Sequence, residues 1–252
     1  MTIDLNADLG EGFGVWLGPG DDASLLRHVS SANVACGFHA GDPTIMRETV
    51  ALCAAAGVAV GAHPSYPDLR GFGRVPLMLP PERVIDDVLY QVGALMGIAA
   101  AQGVAVRHVK PHGALYEAVA VDPGLARALA AEVARLGEGL RLVVPASSPA
   151  AAALATAGHA HLREGFADRA YLESGLLVPR RRSGAVITEA GAAADQALAL
   201  AEGRELATSD GTTIALSVDT ICVHSDTPGA VAIAAAVRER LAGARFTVAA
   251  PA

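Results

Sequence analysis

Helical stretches in this chain open on proline and close on glycine again and again, and a short apolar run precedes nearly every one. Residues 43–56 set the pattern. Asp42 can cap the helix, Pro43 takes the first helical position, and Gly57 stops it. The same reading predicts helices over 81–102, 123–136, 148–157, 188–201 and 228–241, ending near Gly103, Gly137, Gly158, Gly203 and Gly243. The apolar runs are 3–9, 31–36, 58–63, 106–110, 140–145, 161–166 and 218–224. They are short, several are rich in Val or Ile, and they suit strands of a parallel sheet covered on both faces.

The order is therefore β then α, about seven times over. It predicts an α/β chain folded as one parallel (β/α)7-type barrel across residues 1–252, with a doubly wound open sheet as the competing architecture. A chain of 252 residues, 52% hydrophobic, can bury such a core. Aromatics make up only 4%, which suits close helix-on-sheet packing and argues against a surface for stacking bases. The net charge of −7 argues the same way. The one dense basic run, Arg180, Arg181 and Arg182, fits a small anion better than a nucleic-acid backbone. Cys36, Cys53 and Cys222 form no CxxC pair and read as free thiols of a reducing compartment. The Ala-rich stretches near 94–101 and 230–237 are too short or too interrupted to span a bilayer. The expectation is a cytoplasmic protein that binds neither membrane nor nucleic acid.

Active-site residues of a parallel barrel come from the C-terminal ends of its strands. The unusual polar residues lie there: Asn6, Asp8 and Glu11 after the first strand, Asn33, His39 and Asp42 after the second, His63 after the third. Lys110 and His112 follow the fourth, Glu164, Asp168 and Arg169 the sixth, and His224 and Asp226 the last. Asp4, Asn6 and Asp8 alternate and so share one face of a strand that should be buried; buried carboxylates need partners. Lys110 is the only lysine, and Pro111 fixes an extended backbone at it. Such a lysine binds an anion or moves a proton. Gly10, Gly12 and Gly14 allow either a close approach to a ligand or a turn with φ > 0, and no GxxxxGK[ST] motif is present. His108 lies inside the fourth strand and reads as a barrel-interior residue, whereas His28, His159 and His161 have no such context.

The blocks 4–14 (DLNADLGEGFG), 33–43 (NVACGFHAGDP), 61–68 (GAHPSYPD), 109–116 (VKPHGALY) and 223–229 (VHSDTPG) resemble, in order, those of the 5-oxoprolinase A-subunit family, also called the LamB/YcsF family. Residues 164–171 (EGFADRAY) and 179–184 (PRRRSG) resemble two more. Ala7 stands where many members carry Cys, which argues against a Cys nucleophile there. The resemblance implies a barrel akin to those of glycoside hydrolases and deacetylases. It also implies the ATP-dependent opening of 5-oxo-L-proline to L-glutamate, in concert with separate subunits B and C.

Opening a lactam needs an activated carbonyl, a water nucleophile and a proton for the leaving nitrogen. Phosphorylation of the amide oxygen by ATP would supply the activation. Asp8, Glu11 or Asp42 would act as general base, and His112 or His39 as acid, with Lys110 as a further catalytic candidate. Lys110, Arg169 and Arg181 would hold phosphate or carboxylate, among binding candidates that also include Asn6, Asn33, His63, Glu164, Asp168, His224 and Asp226. Two alternatives stay open. One is a metal-dependent deacetylase or amidohydrolase with Asp8, His39, His63 and His112 around a divalent ion. The other is a non-catalytic binding subunit of a multi-subunit hydrolase.

Overall fold

The computed structural model describes residues 1–251. In chain order the elements are β1 (Thr2–Leu9), α1 (Asp22–Leu25), β2 (Ser31–Ala35), α2 (Pro43–Ala56), β3 (Ala59–His63), α3 (Pro81–Ala100), β4 (Val106–Val109), α4 (Gly113–Val121) and α5 (Pro123–Leu136). Then come β5 (Arg141–Pro145), α6 (Pro149–Ala157), β6 (His161–Phe166), α7 (Ala190–Glu202), β7 (Glu205–Ala207), β8 (Thr213–Ala215), β9 (Thr220–Val223), α8 (Ala230–Gly243) and β10 (Thr247–Val248). Strands β1 to β6 and β9 pair in parallel, and a β9–β1 pairing closes them into a seven-stranded barrel. A closed ring, not the open doubly wound sheet, is the architecture. No helix among the described residues is long and apolar enough to cross a membrane.

The helices form where their caps predict. Asp42 accepts from the backbone N–H of Thr44 and Ile45, and Gly57 closes α2 in the left-handed region. Asp122 and Ser148 cap α5 and α6 in the same way. Helix α3 buries Val84, Val88, Gln91, Val92, Leu95 and Ala99, a stripe at spacings of three and four. Each such Val or Leu contributes about 1.5–3 kcal/mol by leaving water. Gln91 is the polar member of that stripe. It accepts from the Ser65 N–H and donates to the Ser65 carbonyl, pinning the loop after β3 to the helix behind it.

Several elements depart from what the sequence predicts. Helix α4 is one. It starts at Gly113 (φ +54°) with no side-chain cap, so it lacks the usual entry signal. The antiparallel β7–β8 hairpin and β10 are only two or three residues long per strand, too short to leave a periodicity. Helix α8 begins at Ala230 rather than Pro228, because Gly229 takes φ +80° and serves as its cap. Strand β10 pairs with the first residues of β1, while the rest of β1 pairs with β9.

The alternation of β1 sets what fills the barrel. Leu5, Ala7 and Leu9 face the helices, fully buried. Asp4, Asn6 and Asp8 are buried too, yet bond across the interior, so this barrel is filled by polar layers where branched apolar side chains are usual. At the bottom, Asp4 accepts from Ser30, Ser31 and Thr220 at 2.7, 2.7 and 2.5 Å. Gly61 makes room for the layer above: a Cβ there would lie 2.0 Å from His108 Nε2.

Candidate active site at the barrel mouth

The middle layer is a hydrogen-bonded ring. Asn6 donates to Glu164 Oε1 (3.0 Å), Asn33 donates to Asn6 Oδ1 (2.7 Å) and to Asp8 Oδ1 (2.9 Å), and His108 Nε2 meets Asn33 Oδ1 at 2.7 Å. Burial pushes His108 down to about 3, so its ring is neutral. A neutral imidazole has one donor and one acceptor, and Oδ1 only accepts, so Nε2 carries the hydrogen.

Above this ring stands Lys110. Its Nζ lies 3.1 Å from Asp8 Oδ1, 3.0 Å from Glu164 Oε1 and 3.1 Å from Cys222 Sγ, at 3% residue exposure. Burial works against the ammonium, but Asp8 and Glu164 outweigh it and hold Lys110 well above the ordinary lysine range. Burial likewise pushes Asp8 up, and Lys110 and His63 more than reverse it, leaving Asp8 well below the ordinary carboxylate range. Asp8 and Lys110 therefore face each other as fixed charges. Tyr116, from α4, donates to Glu164 Oε2 at 2.7 Å.

A second group surrounds Glu11. Burial and the charge of Asp8 push its carboxyl up to about 7. Oε2 accepts from Ser225 at 2.9 Å, whereas Oε1 is buried and unpartnered. Both ring nitrogens of His39 are also buried without a hydrogen bond. His39 stacks on His112, centroids 3.9 Å apart, with its Nε2 3.5 Å from Glu11 Oε1. His63 Nδ1 faces the Lys110 carbonyl at 2.7 Å, and His112 Nε2 faces the Phe72 carbonyl at 2.9 Å. Burial holds His39 and His112 well below the ordinary histidine range. Glu11, His39, His63 and His112 offer ligand atoms within 4.8 Å of one another, the arrangement a metal ion would need. The sequence places Asp8 in that set; in the fold, Asp8 Oδ2 lies 3.5 Å from His63 Nε2, and its other oxygen is held by Lys110. Glu11 takes its place.

A third group is a dyad. His224 Nδ1 lies 2.9 Å from Asp168 Oδ1, and Thr227 donates to Asp168 Oδ2 at 2.5 Å. With Nδ1 so held, Nε2 is left for other work. The ring stacks on Phe166, whose face lies 5.6 Å from Lys110 Nζ. Asp8, Cys222 and His224 also bring ligand-type atoms within 4.8 Å of one another.

Three expected residues stand apart from this cluster. Asp42 uses its carboxylate to cap α2 and to accept from the Gly14 N–H. Arg169 is buried, but its guanidinium donates to the carbonyls of Ala185 and Val178 and so braces the loop after β6. Arg181 is exposed, and its neighbour Arg180 makes the contact instead. Arg180 donates to both oxygens of Asp226 (2.8 and 2.9 Å), and Arg74 meets Oδ2 from the other side at 2.5 Å. Sequence reasoning misses Arg74, Arg180, Tyr116 and Cys222 as partners. Tyr116 carries a signal, since it ends the block 109–116 that contains Lys110. The glycine loop is packed on its own chain: Gly10 takes φ +71°, and a Cβ there would meet Thr49 Oγ1 at 2.9 Å.

Known proteins resemble the chain over its whole length. The model of the LamB/YcsF family matches residues 3–252. A Methylococcus capsulatus protein, named as the A subunit of 5-oxoprolinase, is 53% identical over 249 residues, covering 99% of this chain and 95% of that one. A Kocuria rhizophila protein of the same name is 50% identical over 249 residues, covering 98% of each. The crystal structure of a lactam utilization protein from Thermus thermophilus superposes with a TM-score of 0.92 at 45% identity, covering 100% of both chains.

Proposed function

The chain belongs to the LamB/YcsF family, and from that premise we propose that it is the A subunit of a 5-oxoprolinase, opening the lactam of 5-oxo-L-proline to L-glutamate with the hydrolysis of ATP to ADP and phosphate. The observation that carries the reading is Lys110 Nζ, held as a cation between Asp8 and Glu164 inside a barrel that matches relatives of that name from end to end.

Three demands of the chemistry meet three groups. The amide oxygen, phosphorylated from ATP, carries the phosphoryl group's negative charge as water adds to the carbon, and the Lys110 ammonium is preset to hold that charge without reorganising. The attacking water must lose a proton. Asp8 is ionised, and its Oδ2 is free of Lys110, so it receives that proton. The leaving nitrogen must gain one. His224, oriented through Nδ1 by Asp168, presents Nε2 for that transfer. Burial disfavours the charged forms of His39 and His112, which makes them the poorer donors.

ATP enters as a co-substrate that phosphorylates the amide oxygen and makes its carbon a better electrophile; water adds, the ring nitrogen leaves with a proton, and a second water releases phosphate from the acyl phosphate to give glutamate. The chain has no GxxxxGK[ST] loop, and its glycine loop packs at Gly10 and Gly12 against its own residues, so we assign the phosphoryl transfer to this chain together with subunits B and C. The three buried free thiols fit a cytoplasmic enzyme.

The test is glutamate formation from 5-oxoproline and ATP, first with this chain alone, then with subunits B and C. Glutamate is expected from the full mixture and is expected to vanish with Asp8→Asn in a folded chain. A reconstituted complex that makes no glutamate overturns the assignment.

A further inference from the structure

The Nε2 of His63 and the Nδ1 of His112 lie 2.9 Å apart, and in neutral rings neither has a hydrogen to offer the other. A carbonyl oxygen only accepts, so His63 carries its hydrogen on Nδ1, toward Lys110 O, and His112 carries its own on Nε2, toward Phe72 O. In neutral rings the two remaining nitrogens point lone pair at lone pair. Beside them lie three further polar atoms without a partner: Glu11 Oε1, His39 Nδ1 and His39 Nε2. Four buried side chains thus turn electron pairs toward one point, and each unmet acceptor is a cost to the fold.

We propose that Glu11, His39, His63 and His112 bind one divalent transition-metal ion of the zinc class. A cation at that point answers every one of these conflicts except His39 Nδ1. Zinc bonds of 2.0–2.1 Å in a tetrahedron separate ligand atoms by about 3.3 Å. Three of the six separations here are 2.9 Å (His63–His112), 3.5 Å (His39–Glu11) and 3.7 Å (His112–Glu11), and all six lie within 4.8 Å, so the ion draws the wider pairs inward. His39 and His112 stack within 5° of parallel, so the His39 ring tilts to bring its lone pair onto the ion. Three imidazoles and one carboxylate select zinc, cobalt or nickel over magnesium and calcium, which take all-oxygen shells.

The neighbouring group of Asp8, Cys222 and His224 takes no second ion, because a cation already stands there. Lys110 Nζ is 3.1 Å from Asp8 Oδ1 and 3.1 Å from Cys222 Sγ. One ion per chain is therefore the expected stoichiometry. Its use as a Lewis acid on the lactam carbonyl rests on the oxoprolinase reading; its binding does not.

The experiment is metal analysis of the purified full chain, treated with chelator, loaded with Zn²⁺ or Co²⁺, and freed of excess by dialysis. The result expected is about one ion per chain with an intense tetrahedral Co²⁺ spectrum, falling below roughly a tenth in His63→Gln and in His112→Gln. Magnesium in excess should not displace it. Glu11→Gln, nearly isosteric, guards against variants that misfold, and far-ultraviolet circular dichroism checks each one. Wild-type protein that stays folded and binds under a tenth of an equivalent overturns the proposal, and the His63–His112 pair is then bridged by a proton. Binding undiminished in all three variants overturns it equally. Neither result depends on whether glutamate is formed.

Discussion

The hydroxyl of Tyr116 donates to Oε2 of Glu164 at 2.7 Å while Lys110 holds the other oxygen, so both lone-pair directions of this buried carboxylate are fixed from outside its own strand. Tyr116→Phe removes one of the two. The partner left behind is charged and buried, so a loss of about 1.5–3 kcal/mol in stability is expected. Turnover should fall roughly tenfold as Glu164 and Lys110 loosen. Urea unfolding and a glutamate assay with the B and C subunits check the two effects; unchanged values in both would show that Tyr116 holds nothing in place.

Lys110→Met is expected to be worse. It leaves Asp8 and Glu164 buried with no cation between them, a situation that typically costs about 3–5 kcal/mol. Adding Asp8→Asn should return part of that stability, because one of the two stranded charges is gone. Urea midpoints of the single and double variants measure the coupling. A double variant no more stable than Lys110→Met would mean that the carboxylates do not sense the ammonium.

His224→Gln should leave the fold intact, since the ring keeps a solvent-facing edge at 14% side-chain exposure and Gln can still donate to Asp168. Loss of the proton donor should lower kcat by about 10²–10⁴. Asp168→Asn, which keeps the imidazole but disturbs its orientation along with the Thr227 contact, should lower it less. Equal kcat in wild type and His224→Gln would remove the dyad from the reaction.

Asp22 offers a pH-dependent test of stability. Burial pushes its carboxyl from 3.8 up to about 6, although it accepts from the Gly10 N–H at 2.8 Å. Between those two values the folded chain binds more protons than the unfolded one, so this group's share of stability is greatest below pH 4 and declines toward pH 6. Asp22→Asn keeps an acceptor for Gly10 and removes the charge. At pH 7 it should be more stable by about 1–3 kcal/mol, at 1.4 kcal/mol per pH unit, and at pH 3 the gap should close. A gap that is the same at both pH values would contradict the shift.

The barrel is legible in the sequence because its helices announce their ends. Asp42, Pro43 and Gly57 fix α2 to the residue. Where that punctuation is missing the sequence is silent: α4 starts on an uncapped glycine, and its run GALYEAVAV has no polar stripe from which a period can be read. The strand-end histidines and Asp8 are legible as a set, since strand alternation and barrel geometry bring them to one mouth. The division of labour is not. Asp42 and Arg169 carry the right charges in the right blocks but serve the backbone. Glu11 lies past the end of β1, where alternation no longer says which way a side chain points. Arg180 rather than Arg181 reaches Asp226, a choice made by the turn of an exposed loop that no spacing rule encodes.

One feature of the composition turns the interior into its own reporter. With Lys110 as the sole lysine, the only side-chain amine in the sequence sits at the barrel's centre, 3% exposed and locked between carboxylates. An acylating reagent can reach that amine only when the mouth gapes and the ammonium sheds its proton. The pace of acylation at this one position, followed by mass spectrometry, is thus a clock for how often the barrel breathes, and substrate in the mouth should slow it.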